Sequence, residues 1–394
     1  MKIVIGKSTE KGDKQLSTFI CAYVLASSLN IATKTIFQIS DSAWSLVSYG
    51  FEAVIILALI FALPSLVTRE KTSLVIVEFL FAFLFFISWA IGEVSLSFLL
   101  STAFWTLAVC IPLCIAGIAV KDKEVLFNYL RTASYIELPV LCIALLSMRA
   151  VGSYSMSASY ALILPVLYLI DDFFDKRSFI ALGLGVFASA LILIFGARGP
   201  FLCVALYAMV KLFSTKNSSR IFIIRIVFII TIVLILLFWE PIIQRMQSFL
   251  VNSGIHSYAL QRLINGQITE TAGRDALWKY YTGLIQQRPI FGYGLQGGWL
   301  GPGNGPHNML LEYILAFGII VGGIVSAYSI YLLLFSVFKR NGKSGDLILI
   351  LAFYNFTMYL VSGNWLEKPL FFLFAALAIA EHKKQKLRRI NYNK

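Results

Sequence analysis

The chain has 394 residues, of which 59% are hydrophobic and only 13% charged; its mean hydropathy is +0.81. Soluble domains carry about 25% charged residues, so this composition excludes a soluble enzyme and describes an integral membrane protein. The net charge of +13 is read first as the Lys and Arg excess that membrane proteins keep on the cytoplasmic side, and not as a nucleic-acid footprint.

At the N-terminus Lys2, Lys7, Lys11 and Lys14 precede an apolar run with no small-residue cleavage site, the pattern of a retained first span. A span takes about 20 mostly apolar residues. Apolar runs separated by short polar breaks predict twelve of them: Leu16–Ile31, Ala43–Val67, Leu74–Ile91, Leu96–Val120, Ser134–Ser147, Ser157–Ile170, Phe179–Gly196, Pro200–Phe213, Ile221–Trp239, Asn308–Phe338, Leu347–Val361 and Leu370–Ala380. The expected fold class is therefore all-α and polytopic, one transmembrane domain over residues 1–394, with a single long connection at 240–307. With the N-terminus in the cytoplasm, alternate breaks collect 23 of the 33 basic residues. That bias puts both termini in the cytoplasm and the 240–307 loop outside.

A loop this long is uncommon unless it is functional or structured. Ile242, Ile243, Met246, Phe249 and Leu250 form one helical face, and Ala276, Leu277, Tyr280, Tyr281, Leu284 and Ile285 another, opened by Thr271 or Gly273. Both read as helices lying on the bilayer surface. Trp239 and Trp278 read as interfacial belt residues, whereas Trp299, set among glycines, suits stacking on a sugar ring. All five cysteines lie in apolar runs and read as packing residues, with no metal site among them.

Few residues look built for chemistry. Asp171, Asp172 and Asp175 spell the D-D-x-x-D pattern that holds magnesium on prenyl diphosphates; with no second acidic cluster, a solvated polar stop beside Lys176 and Arg177 is favoured. Arg198, in the tight Gly196-Ala-Arg-Gly-Pro200 turn, is either an arginine snorkelling to headgroups or an anion site near the outer leaflet. Arg274 in the first turn of a surface helix opposes the helix dipole, partly offset by Asp275, which favours an anionic partner. Gly292, Gly294 and Gly297 match G-x-G-x-x-G, but no strand and soluble helix flank them; a dinucleotide site is rejected in favour of a backbone passing close to a ligand or folding over a helix mouth. His307 follows Gly305-Pro306, Asn308 is a candidate N-cap, and Glu312 lies one turn into the following span, where an acid needs a partner. Glu52 and Glu137 are similar intramembrane acids without an assigned role.

Taken together, Gly-Ala-Arg198-Gly, the long loop carrying Arg274, Gly292-Tyr-Gly294 and His307-Asn308-x-x-Leu311-Glu312, with Gly318 and Gly322 beyond, resemble the O-antigen ligase and O-antigen polymerase superfamily. The resemblance runs from about Tyr154 to the C-terminus, and Ser155-Met156-Ser157 resembles the polymerase branch. It implies a metal-independent glycosyltransferase of the C type, without a cofactor. The donor would be a glycan on undecaprenyl diphosphate at the outer face of the bacterial cytoplasmic membrane. The resemblance gives Arg198 and Arg274 the donor diphosphate and His307 the role of base toward the acceptor hydroxyl. Asn308, Glu312, Gly292, Gly294 and Trp299 would support the site. Membrane lipids, a chain-length regulator and a flippase would be its partners, and nucleic acid would not. Polymerase and ligase share these motifs; a flippase or exporter of lipid-linked sugars is the alternative without bond chemistry, and it should show internal repeats or a polar path.

Overall fold

A computed structural model describes residues 7–91, 95–151, 155–215, 219–255, 257, 260–261, 264, 274–301, 305–339, 342–361 and 365–392. Among these residues every regular element is helical: α1 (Lys7–Phe37), α2 (Asp41–Ile91), α3 (Leu96–Ala119), α4 (Lys123–Val151), α5 (Met156–Lys176), α6 (Phe179–Phe195), α7 (Arg198–Ser214), α8 (Ser219–Leu237), α9 (Trp239–Asn252), α10 (Arg274–Gln287), α11 (Met309–Phe338), α12 (Gly342–Val361) and α13 (Pro369–Tyr392). Each expected apolar run falls on a helix. Six stretches among the described residues are long and apolar enough to cross a membrane on their own: Thr9–Phe37, Ala43–Ile91, Leu96–Ala119, Lys123–Arg149, Met156–Lys176 and Met309–Phe338. The 51-residue α2 holds two of the expected spans, divided at Glu70 by a non-helical backbone (φ −138°, ψ 33°).

The solvent these helices need is visible on α2. Its most apolar window is only 6% buried, and Leu57, Phe79 and Phe83 face outward. Leaving such a side chain in water forgoes about 1.5–3 kcal/mol each, so acyl chains are the medium this surface fits. This is a polytopic membrane protein.

The chain forms two compact units, one of Met1–Val24, Glu52–Leu130 and Thr271–Lys394, the other of Leu25–Phe51 and Arg131–Glu270. In the first unit Arg69, at the break of α2, pairs with Asp13 and donates to Ala119 O at 3.0 Å and Thr9 O at 2.6 Å. Asp13 in turn accepts the Lys121 and Asp122 amides at 3.0 and 3.1 Å. A cation thus meets the carbonyl end of α3 and a carboxylate the backbone amides that follow, each satisfying groups that helix ends leave open. Gly12 makes room for this, because a Cβ there would overlap the Arg69 guanidinium.

In the second unit α5, α6 and α7 pack in sequence, and α5 and α7 are tied at both ends. At one end the Ser155 amide donates to Phe195 O at 3.1 Å and the Ala197 amide to Ser159 Oγ at 3.4 Å. At the other end Lys211 pairs with Asp171 and lies 3.4 Å from Asp175. Asp172 meets Arg131 at 3.0 Å and Lys176 at 3.2 Å and accepts from the Tyr135 hydroxyl. The solvated polar stop expected at the D-D-x-x-D pattern is therefore corrected: Asp171 and Asp172 are buried and charge-paired. Lys211 is itself buried, 1% exposed. Its partner lies 40 positions away, a pairing that hydropathy does not display. Arg225, just inside α8, donates to Leu212 O at 3.2 Å and Thr215 O at 2.8 Å, closing the C-terminal end of α7.

The expected face of α9 is narrower than its sequence suggests. Ile243 and Leu250 pack with Leu260, joined by Met246, Ile255 and Ile194 of α6, while Phe249 is 70% exposed. This face is covered by protein and not by a bilayer surface. Glu137 is fully buried beside Ser28. All five cysteines are free thiols.

Candidate functional site

The site is built on the first turn of α11. Asn308 is extended (φ −147°, ψ 110°) and its side-chain oxygen accepts the Leu310 and Leu311 amides at 3.0 and 3.2 Å. It is the N-cap expected from the sequence. His307, immediately before it, holds a left-handed backbone (φ 52°), a conformation few non-glycine residues adopt. Its imidazole is half-buried at the helix mouth. Pro306 O, one residue earlier, accepts the Trp278 indole N–H at 3.0 Å. Arg274, the first described residue of α10, lies one turn before Trp278, about 6 Å along the axis. One hydrogen bond thus ties the start of α10 to the backbone beside His307. Trp278 is accordingly a structural pin and not merely an interfacial belt residue. The expected opening of α10 by Thr271 or Gly273 lies outside the described residues.

Glu312 is 6% exposed. Its carboxylate accepts the Trp365 amide at 3.3 Å, and Lys368 and Glu367 lie near enough to act on its charge. The buried acid therefore has the partner its depth demanded, in the turn between α12 and α13. That turn is itself held by α3, where Thr102 donates to the Glu367 carboxylate at 2.6 Å and Trp105 to Glu367 O at 3.3 Å.

The uninterrupted span expected at Asn308–Phe338 is corrected by a break at Gly318 (φ 75°, ψ 175°). Residues 309–317 form a short helix and 319–338 a second one. In a straight helix Tyr313 and Gly322 would stand about 13 Å apart. Here a Cβ on Gly322 would lie 2.5 Å from Tyr313 O, so the two pieces fold sharply on one another. The freed backbone groups are taken up by the preceding loop. Tyr293 N donates to Leu315 O at 2.7 Å, Gly294 N to Ala316 O at 3.1 Å, and Ile319 N to Pro289 O at 2.7 Å.

Gly292 and Gly294 have positive φ (67° and 84°). A Cβ on Gly292 would stand 2.7 Å from Gly318 N and one on Gly294 2.8 Å from Ser88 Oγ. These glycines let the loop close over the broken helix, one of the two readings their sequence left open. Ser88 of α2 also receives the Leu295 amide at 2.9 Å.

Beneath this loop Tyr281, Tyr293 and Leu315 form a small core with Leu277, Leu284, Ile285 and Leu300. The apolar face of α10 is therefore covered by its own loop and α11, and not by a bilayer surface. Tyr281, fully buried, donates to Gly298 O at 2.7 Å. Burial, with Tyr280 adjacent, pushes its phenol up to about 12. Tyr293 donates to Leu284 O at 3.1 Å, and the Arg288 guanidinium sits 4.8 Å over its ring. The half-buried Trp299 ring meets Phe98 edge-on at 4.7 Å.

His307, Asn308, Glu312, Gly292, Gly294, Trp299 and Arg274 all belong to the first unit. Arg198 belongs to the second, where it opens α7 behind the extended Ala197. Gly199, next to it, lies so close to Tyr160 that a Cβ would be 2.8 Å from the phenol oxygen. Sequence reasoning missed Ser88, Tyr281 and the Trp365–Lys368 turn. Only Tyr281 left a signal, as the centre of the α10 apolar stripe.

Fold and site define a polytopic helical membrane protein with a compact loop-and-helix cap over a broken helix. Residues 183–327 match the family model described as O-Antigen ligase. That segment contains Arg198, Arg274 and the whole 288–312 loop, and the match supports the O-antigen ligase and polymerase superfamily. The match supports a ligase or polymerase role in polysaccharide assembly. No curated protein and no solved structure matches the chain.

Proposed function

We propose that the protein is a membrane glycosyltransferase of the C type with twelve crossings and both termini cytoplasmic. It polymerises O-antigen or capsule repeats at the outer face of the bacterial cytoplasmic membrane. The donor is a glycan on undecaprenyl diphosphate, and the acceptor is a sugar hydroxyl of another lipid-linked repeat. His307 takes the hydroxyl proton as its oxygen attacks the anomeric carbon. The bond from that carbon to the diphosphate oxygen breaks, and the electron pair leaves with the lipid diphosphate. Arg274 and Arg198 stabilise the departing charge in the place a metal ion would otherwise take, and the anomeric centre inverts.

The observation that carries this reading is His307, held left-handed at a capped helix mouth with the start of α10 pinned beside it. Each guanidinium–phosphate contact contributes about 1.5–3 kcal/mol in a partly dry site, and a positioned base adds about 10²–10⁴ in rate. Asn308 and Glu312 hold the backbone on which the imidazole rides. Trp299 would stack on a sugar. A chain-length regulator and a flippase would work beside the enzyme.

A second reading, transfer of the finished glycan to a lipid A core or other acceptor, is favoured by the description of the matching family model. Purified protein given a lipid diphosphate oligosaccharide separates the readings. Products longer than one repeat identify a polymerase. Transfer only when a second acceptor is added identifies a ligase. Movement of the lipid without a new bond identifies a flippase and removes the enzyme. His307→Ala should lower turnover at least about 100-fold with an unchanged melting transition; near-normal turnover would take the imidazole out of the mechanism.

A further inference from the structure

A cavity lies in the first unit, at the far end of α11 from His307. It encloses about 390 Å³ between α11 and α13, lined by Tyr331, Phe335 and Lys339 of the first helix and its end, and His382, Gln385 and Lys386 of the second. We infer that this cavity binds the phosphate headgroup of an anionic glycerophospholipid of the surrounding leaflet, with Lys339 and Lys386 as its cationic rim.

Three observations carry it. The first is position. Residues 319–338 make 20 residues of helix after the break, about 30 Å, one hydrocarbon thickness. Lys339 therefore stands where headgroups begin.

The second is charge. The lining holds two lysines and a histidine, and no acid among the described residues. The nearby Glu381 is buried, and its carboxylate is already engaged, accepting from Gln385 at 3.2 Å and Ser344 at 3.5 Å. An ordinary helix-end cation would explain Lys339, but its carbonyl is already closed by the Gln385 amide at 3.0 Å. Lys386 is not at a helix end, since α13 runs on to Tyr392, so its ammonium is not spent on a dipole.

The third is shape. His382 is fixed edge-on against Tyr331 at 5.6 Å and Phe335 at 5.3 Å, giving a rigid aromatic wall. Ile390, which lines the cavity, is 45% exposed, and Phe338 and Leu387, the chain neighbours of Lys339 and Lys386, are 74% and 53% exposed. A free phosphate would leave these side chains in water, whereas a diacyl lipid covers them.

The test uses the full chain in neutral detergent, with native mass spectrometry and melting temperature as readouts. Probes are phosphatidylglycerol, phosphatidylcholine and inorganic phosphate. Phosphatidylglycerol should bind and raise the melting temperature, and the other two should not. A basic side chain near such a surface contributes about fivefold in affinity, so Lys386→Gln, a change on an exposed side chain, should weaken phosphatidylglycerol about fivefold and Lys339→Gln/Lys386→Gln about thirtyfold. Equal binding of phosphatidylcholine, a matching shift from inorganic phosphate alone, or unchanged phosphatidylglycerol binding in Lys386→Gln would each overturn the assignment.

Discussion

Replacing Gly318 by alanine should be among the most damaging single-methyl changes in the chain. The residue sits at φ 75°, ψ 175°, a region essentially reserved for glycine, and a side chain there costs about 1–3 kcal/mol. The added carbon would fall on the Ile290 carbonyl, with Pro289 O at 2.9 Å. Relief requires the 289–294 loop to retreat, which breaks Ile319 N to Pro289 O and weakens Tyr293 N to Leu315 O and Gly294 N to Ala316 O. At about 1 kcal/mol net per hydrogen bond, the total is about 3–5 kcal/mol. Gly323→Ala is the control. Nothing lies within 4 Å of a Cβ there, and alanine in a helix interior gains up to about 1 kcal/mol. Unfolding in mixed micelles, followed by tryptophan fluorescence, measures both. A Gly318→Ala protein within about 1 kcal/mol of the parent would refute the closed break, because that geometry leaves no place for the methyl group. Gly292→Ala probes the same interface from the other side, so the double substitution should cost clearly less than the two single costs added.

Asn308→Ala should lose about 1 kcal/mol by the same measurement, and Asn308→Asp should lose little, since a carboxylate accepts the same two amides; equal losses would remove the cap. Lys211→Met strands the buried Asp171 carboxylate and should cost about 3–5 kcal/mol, with Lys211→Met/Asp171→Leu recovering much of it; a harmless single change would mean that the pair is not buried. Tyr281 keeps its proton to about pH 12 when folded and to about 10 when unfolded. Its contribution is complete below pH 10 and is lost as pH climbs toward 12. Stability should therefore decline less steeply over that window in Tyr281→Phe than in the parent, and parallel declines would count against its burial.

Much of the architecture was readable because lipid imposes a simple rule: apolar runs must be helices. Asn308 was readable too, since its position between Pro306 and an apolar run leaves few other uses for an amide side chain. The break at Gly318 was not. One glycine inside a long apolar stretch looks like any other, and the reason for it, a pair of carbonyls at positions 289 and 290, comes from a different segment. Asp171 and Asp172 were misjudged for the same reason. Charge adjacency along the chain pointed to Lys176 and Arg177, while much of the pairing is with Lys211 and Arg131 on other helices. The apolar stripe of α10 was located correctly but given the wrong medium, because periodicity reports that a face is covered and not by what. Arg198 and Arg274 were singled out by residue type and setting; nothing in one sequence fixes their distance.

The closure of the loop on α11 has a bearing on how such proteins diversify. The stretch from Leu295 to Asn308 departs from one end of the 309–317 helix and rejoins it at the other, two points about 12 Å apart. Its entry is clamped by the amides of Tyr293, Gly294 and Leu295, its exit by Trp278 and the Asn308 side chain. Residues added or removed inside that detour would leave the clamps, the imidazole and the bilayer crossing where they are. The length of this short excursion can thus drift while the framework around it stays constant.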